Sequence, residues 1–173
     1  MNGIVNDNMK YSGQVKLTIK IGNKFIEKSI HNDGLPLLKK AFAMFLCGGA
    51  SAEQALTYIP KKLDLRYNNS GAWVSRLIKP VPVTSPNYGE EVVGNETTWY
   101  VEYTSVIPYS QLIGGIKSGE VYNIYLMCDS ELVDNQDLAY IPVPAEDFLS
   151  LSPGVSLIIN WKLRLLNNVP QEV

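Results

Sequence analysis

The stretch Val15-Lys16-Leu17-Thr18-Ile19-Lys20-Ile21 alternates apolar and polar residues, and after the step Gly22-Asn23 a second β-rich run follows from Lys24 to Ile30. Successive side chains of a strand point to opposite faces, so a period of two buries one face and wets the other. A two-residue Gly-Asn step between such runs is a hairpin signal. The stretch therefore predicts a β-hairpin from Gln14 to Ile30, and with it a sheet that begins near the start of the chain.

Outward from the hairpin, His31-Asn32-Asp33-Gly34 breaks the strand, and Pro36 stands where a first helical residue tolerates a missing N–H. Leu37, Leu38, Ala41, Phe42, Phe45 and Leu46 recur at helical spacing, with Lys39 and Lys40 on the other side and Gly48-Gly49 as the stop. This predicts a helix that lies on the sheet and buries Phe42 and Phe45. Ser51-Ala52-Glu53-Gln54 has the form of a capping box ahead of a short helical turn to Tyr58.

From Pro60 the chain reads as strands and turns. Leu63, Leu65 and Tyr67 alternate with polar residues, and Asn68-Asn69-Ser70-Gly71 turns the chain into a strand from Ala72 to Ile78. Lys79 to Gly94 holds Pro80, Pro82 and Pro86 among Ser, Asn and Gly, which predicts a long surface loop. Loops of that length tend to carry contacts. Further strands are expected at Thr97–Ile107, Val121–Met127, Leu138–Val143 and from Val155 to Leu165. Pro142 places the third of these at a sheet edge, and the mixed faces of the last suit a central strand. The expected fold is mainly β: one domain over residues 1–173, an antiparallel β-sandwich or jelly-roll-like fold with one α-helix inserted after the first hairpin. Residues 1–11 form an N-terminal extension.

Composition narrows the function. Fifteen Lys+Arg against seventeen Asp+Glu give a net charge of -2, which argues against binding to a phosphate backbone and against sequence-specific nucleic acid. No apolar run is long enough for a membrane span and the N-terminus lacks signal-peptide order, so a soluble chain made in a cytoplasm, without a membrane partner, is expected. Cys47 and Cys128 lie far apart and read as buried free thiols. One histidine and no Cys-x-x-Cys spacing leave no His/Cys zinc site, and no cofactor motif appears.

Candidate catalytic groups are few. His31 stands beside Asn32 and Asp33 without a nucleophile motif and reads as a turn residue. Glu90-Glu91 and Glu146-Asp147 sit in breaker-rich stretches and read as solvated loop charges. Asp129 to Asp137 is rich in oxygen ligands but lacks the spacing of a calcium loop, so it reads as a polar hairpin loop. No catalytic, cofactor or metal residue is assigned, and an enzyme is not expected.

The aromatic load points elsewhere. Ten tyrosines and three tryptophans include Trp99, Tyr100 and Tyr103 on one strand, where Trp99, Val101 and Tyr103 share a face. Such aromatics mark protein interfaces or sugar-stacking platforms. With the low charged fraction of 18%, they make Pro80, Pro82, Pro86, Tyr88, Trp99 and Tyr109 the candidate interface residues. Trp73, Trp99 or Tyr109 would be the stacking platforms of a carbohydrate-binding module, the competing class.

Gly13-x-Val15-x-Leu17-x-Ile19, the step Ile30-His31-Asn32-Asp33-Gly34 and the helix Leu37-Leu38-x-x-Ala41-Phe42-Ala43 ending in Cys47-Gly48-Gly49 carry a family resemblance. With Tyr122-x-Ile124-Tyr125-Leu126-Met127, Leu138 to Val143 and Leu157 to Asn167, they resemble virion proteins of tailed phages of the crAss-like group that infect Bacteroidetes. The resemblance implies a non-enzymatic virion component. A head-tail connector ring is the first expectation, built by the chain with itself and with other virion proteins such as the portal, neighbouring ring or tail proteins. A capsid decoration or head-fibre protein comes next. No functional residue carries over from the family.

Overall fold

A computed structural model describes residues 12–21, 23–32, 36–129, 136–148 and 151–166. Two antiparallel sheets form, as the alternating patterns require. Sheet A contains β1 (Ser12–Ile21), β2 (Lys24–Asn32), β6 (Thr84–Val93), β7 (Glu96–Pro108) and β10 (Ser156–Leu166), in the order β2-β1-β10-β7-β6. Sheet B contains β3 (Lys62–Asn69), β4 (Ala72–Ser75), β8 (Val121–Met127) and β9 (Asp137–Pro144) in the order β4-β3-β8-β9, with the two-residue β5 (Val81–Pro82) beside β3. The chain passes from one sheet to the other after β2, β5, β7 and β9, which makes a β-sandwich.

The first hairpin has Ile21 opposite Lys24, and β1 then pairs along its whole length with β10. The second hairpin turns at Ser70-Gly71, both with positive φ, as a two-residue turn matched to strand twist requires; the Asn68 side chain accepts the Gly71 amide at 2.9 Å. Between the sheets lie Leu63, Leu65, Ile107, Tyr122, Ile124, Leu126, Ile141, Phe148, Leu157, Ile159 and Trp161, all buried. Tyr122 meets Phe148 edge to face at 6.0 Å.

Helix α1 (Pro36–Cys47) begins at the expected proline and is followed by α2 (Gly49–Ala55) and a 3₁₀ turn at Leu56–Tyr58. Gly48, at φ 74°, separates the helices. Leu37, Ala41 and Met44, spaced for one helical stripe, pack over Tyr58, Cys128 and Leu138.

Several expectations are corrected. Lys79 to Gly94 is not a loop: β5 and β6 occupy most of it. Pro82 lies in the short β5, and Pro86 falls where the β6–β7 register shifts between Thr84 and Asn87, a bulge that spares the missing N–H. His31 is not at a break but within β2, opposite Gln14. Ser51 lies inside α2, whose N-cap is Gly48, so no capping box forms. Phe45 is exposed and Phe42 half-buried, because the Leu37-Ala41-Met44 stripe faces the core instead. Cys47 shares that outward side and is exposed, while Cys128 is buried; both are free.

Candidate interaction surface

Sheet A is longer than sheet B, and its two ends meet different fates. At one end Ile107, Leu157, Ile159 and Trp161 close on sheet B. Toward the other, the same face continues through Tyr103, Val101 and Trp99 on β7, with Tyr88 opposite Val101, Glu90 opposite Trp99 and Val92 opposite Thr97 on β6. Here nothing covers it among the described residues: Trp99 is 53% exposed, Val92 71% and Tyr88 77%. The Tyr88 and Trp99 rings lie 6.4 Å apart and tilted by 31°, a preformed aromatic pair at the β6 edge. The descent into the core is visible in Tyr103, whose phenol burial pushes up to about 12.

The opposite face of this end is polar and tightly paired. Glu91 reaches across β7 to accept from Arg164 and, at 3.3 Å, from Lys162. Those two cations hold its carboxyl below the usual carboxylate range, Arg164 foremost. Lys162 also sits 3.8 Å over the Tyr100 ring, and that ring lies against Gly89, where a Cβ would come within 2.7 Å of the phenol oxygen. Glycine is needed there for the ring to lie flat across the strand.

Further exposed apolar residues belong to the helical region. Phe45 (59% exposed) and Leu46 (65%) at the end of α1 are exposed, and so are Leu56 and Ile59 further along the chain. Isolated exposed apolar residues are ordinary, but grouped ones mark contacts. These helices follow β2, at the far edge of sheet A from β6, and α1 packs against β9. These residues thus follow one edge of sheet A, and the Tyr88-Trp99 pair stands at the other.

The outer face of sheet B carries a buried polar network instead. Arg66 donates to Asp64 at 2.8 Å and forks onto Asp137 at 2.7 and 2.8 Å, with its guanidinium 4.1 Å over the Tyr125 ring. Burial opposes its charge, yet the carboxylates of Asp137 and Asp64 prevail and hold its pKa above the ordinary value. Ser75 donates to Asp64 at 2.6 Å. Asp137, expected in a polar loop, is a buried ion-pair partner at the start of β9; residues 130–135 of that stretch lie outside the described part. Beside the network, Trp73, Tyr125 and Tyr140 form a row with centroids 6.4 and 5.6 Å apart. A related device, Arg76 stacked 3.6 Å over Tyr67 and paired with Glu120, which also accepts from Tyr122, fixes the connection before β8.

Of the six predicted interface residues, Tyr88 and Trp99 come together as a ring pair. Pro80 and Pro82 line an open groove of about 540 Å³ with Lys61, Lys62, Lys79 and Asp129, where Lys62 and Asp129 pair at 2.5 Å. Pro86 is exposed in the β6 bulge, and Tyr109 is half-buried in a 3₁₀ turn, its amide donating to the Val155 carbonyl. Val92, Phe45, Leu46, Leu56 and Ile59 went unforeseen. The signal for Phe45 and Leu46 was present: a helix apolar on more than one side has only one side to give to its own core. The candidate carboxylates do not converge. Glu90 and Glu91 occupy opposite faces of β6, and Glu146 and Asp147 sit in a 3₁₀ turn. Among the described residues no cluster of His, Cys, Asp and Glu could hold a metal, and no helix is long and apolar enough to cross a membrane.

Set against models of known families, curated proteins and solved structures, the chain matches none of them.

Proposed function

We propose that the chain is a non-enzymatic structural subunit that works by repeated protein-protein contacts, a ring component of the head-tail connector or tail of a tailed phage of the crAss-like group. The observation that carries the reading is that exposed large apolar side chains occur both at the β6 edge of sheet A and in the helical region beyond its β2 edge. A closed ring needs heterologous contacts, one patch of each copy docking on a different patch of the next. Tyr88, Val92 and Trp99 at one edge and Phe45, Leu46, Leu56 and Ile59 in the helical region would supply two such contacts on a single chain. Virion material, formed in the host cytoplasm, is where such a subunit would act, beside portal or neighbouring ring and tail proteins. A capsid decoration or head-fibre role would use one patch only.

Light scattering after gel filtration, followed by negative-stain imaging of the largest species, tests this. Rings of many copies support the reading; a monomer at all concentrations, with and without candidate virion partners, removes it. The exposed rings of Trp73 and Tyr140, on either side of Tyr125 buried beneath Arg66, favour a second reading, a glycan-binding face on the outside of sheet B. A glycan array with wild type and Trp73→Ala decides that reading.

A further inference from the structure

Three lysines converge on one stretch of surface in a chain whose net charge is -2. Lys61 and Lys62 stand at the start of β3, and Lys79 precedes β5, which pairs antiparallel with β3 so that Pro82 is opposite Lys62. On the other side of β3, Met127 at the end of β8 is opposite Lys62, and Asp129 follows two residues on. Backbone bonds fix these segments to one another: the Lys61 amide donates to the Met127 carbonyl and the Val83 amide to the Lys61 carbonyl, both at 2.8 Å. Residues far apart in sequence are thus held around the open groove of about 540 Å³, whose apolar wall is Pro80, Pro82 and Val83.

Charge in the groove is unbalanced. Lys62 is paired with Asp129 at 2.5 Å. Lys61 and Lys79 are exposed, and among the described residues neither has an ion-pair partner. A lone exposed lysine is satisfied by water, but two that line one groove raise a local potential that an anion relieves. Lysine suits a tetrahedral oxyanion, since its ammonium is a compact point charge with rotatable donors.

The apolar wall narrows the ligand. A groove of this volume falls within the range of small-molecule sites, roughly 300 to 1,000 Å³, and exceeds what a bare phosphate ion fills. Pro80 and Pro82 have fixed φ and little side-chain freedom to lose, so they form a rigid wall against which the carrier of a phosphoryl group can pack. Two spare cations are too few for a nucleic-acid backbone, whose binding draws on many phosphate contacts. We propose that this groove binds a compact organic phosphate, its dianionic phosphoryl group met by Lys61 and Lys79 and its organic part packed on Pro80 and Pro82. The site lies within one chain and does not rest on the ring reading.

The test titrates the full chain with adenosine monophosphate, inorganic phosphate and adenosine, reading amide shifts at Lys61, Lys62, Lys79 and Val83. Expected are one saturable site for the monophosphate that weakens with salt, weaker binding of phosphate, and none of adenosine. Lys61→Ala and Lys79→Ala should each weaken the monophosphate about tenfold, as the loss of a charged hydrogen bond does, and Asp129→Asn, which frees Lys62, should tighten it. Lys39→Ala, exposed on α1, is the control and should change nothing. Binding that survives Lys61→Ala combined with Lys79→Ala, or that falls as much with Lys39→Ala, overturns the site in favour of diffuse surface charge. Adenosine binding as tightly as its monophosphate overturns the role of the phosphoryl group, and inorganic phosphate binding as tightly overturns that of the proline wall. A single-stranded oligonucleotide that shifts the same amides at much lower concentration than the monophosphate puts a strand in place of the small ligand and overturns the assignment.

Discussion

Trp161 and Trp99 stand on the same face of the same sheet, on adjacent strands, yet one is fully buried and the other 53% exposed. Neither local pattern nor strand pairing separates them: Trp161 is opposite Tyr103, two strand positions of that face from Trp99. What differs is the layer beneath. Sheet B supplies Leu63, Tyr122 and their neighbours under one end of sheet A and stops before the other. Where a chain builds more apolar sheet than it covers, the surplus is a surface for something else.

The comparison breaks first at Trp161. Trp161→Ala leaves a cavity beneath a fully covered ring and is expected to cost about 4 kcal/mol in urea unfolding. Trp161→Phe should cost much less, because the indole Nε1 has no hydrogen-bond partner here and its removal leaves no orphaned group. A loss with Trp161→Ala below about 1 kcal/mol would mean the two ends are not differently packed.

The second break is on the outer face of sheet B. Asp137→Ala leaves the Arg66 fork half-empty in a buried site, and a buried charge stripped of a partner costs about 3 kcal/mol. Replacing Arg66 and Asp137 together by Met and Leu should cost less than the single change. Double-mutant analysis of wild type, Arg66→Met, Asp137→Leu and the double variant checks this, and additivity would show that the pair is not coupled.

These two sites also show which parts of the fold were open to sequence reasoning. The alternation of Leu157, Ile159 and Trp161 reports a buried strand face because periodicity is local, and Pro36 reports a helix start for the same reason. Arg66 and Asp137 are 71 positions apart, and no spacing announces a pair that only the register of β3, β8 and β9 creates. β5 and β6 were hidden by Pro82 and Pro86, which mark breakers in a central strand but are tolerated in a short strand and at a bulge on an edge. Tyr88 and Trp99 were singled out by residue type alone; that they meet follows from β6 being a strand. Phe45 was misplaced because two apolar stripes compete on α1 and spacing does not rank them.

Sharper than either deletion is Gly89→Ala on the polar side of the projecting end. The added Cβ would displace the Tyr100 ring and with it the Lys162 contact, at an expected cost of about 1 to 2 kcal/mol. Tyr100→Ala in the same background should recover part of the loss, since the clash is with that ring.

Acid titration separates the faces further. Glu91 has a lower pKa in the fold than its ordinary 4.5, through Arg164 and Lys162, so its contribution is fully present above that ordinary value. It is lost as pH falls through the lower folded value, when the carboxyl takes up its proton. Glu91→Gln should therefore flatten the decline of stability below about pH 4.5. An unchanged slope would place the acid sensitivity elsewhere, with Glu120, lowered by Tyr122 and Arg76 against the effect of burial, as the next group to replace.

The smallest effect on folding belongs to Tyr88→Thr. The ring is mostly in solvent, threonine, being β-branched, keeps a preference for strands, and the substitution lies at a sheet edge; the stability of the single chain should change by no more than about 0.5 kcal/mol. Assembly should respond in the opposite proportion, because interface energy concentrates in exposed aromatics that become buried. Measured at one fixed protein concentration, a variant that unfolds like wild type but fails to form multi-copy species would assign Tyr88 to contacts between chains. Loss of folding and assembly together would instead mean that the bare end of sheet A contributes to the fold it projects from.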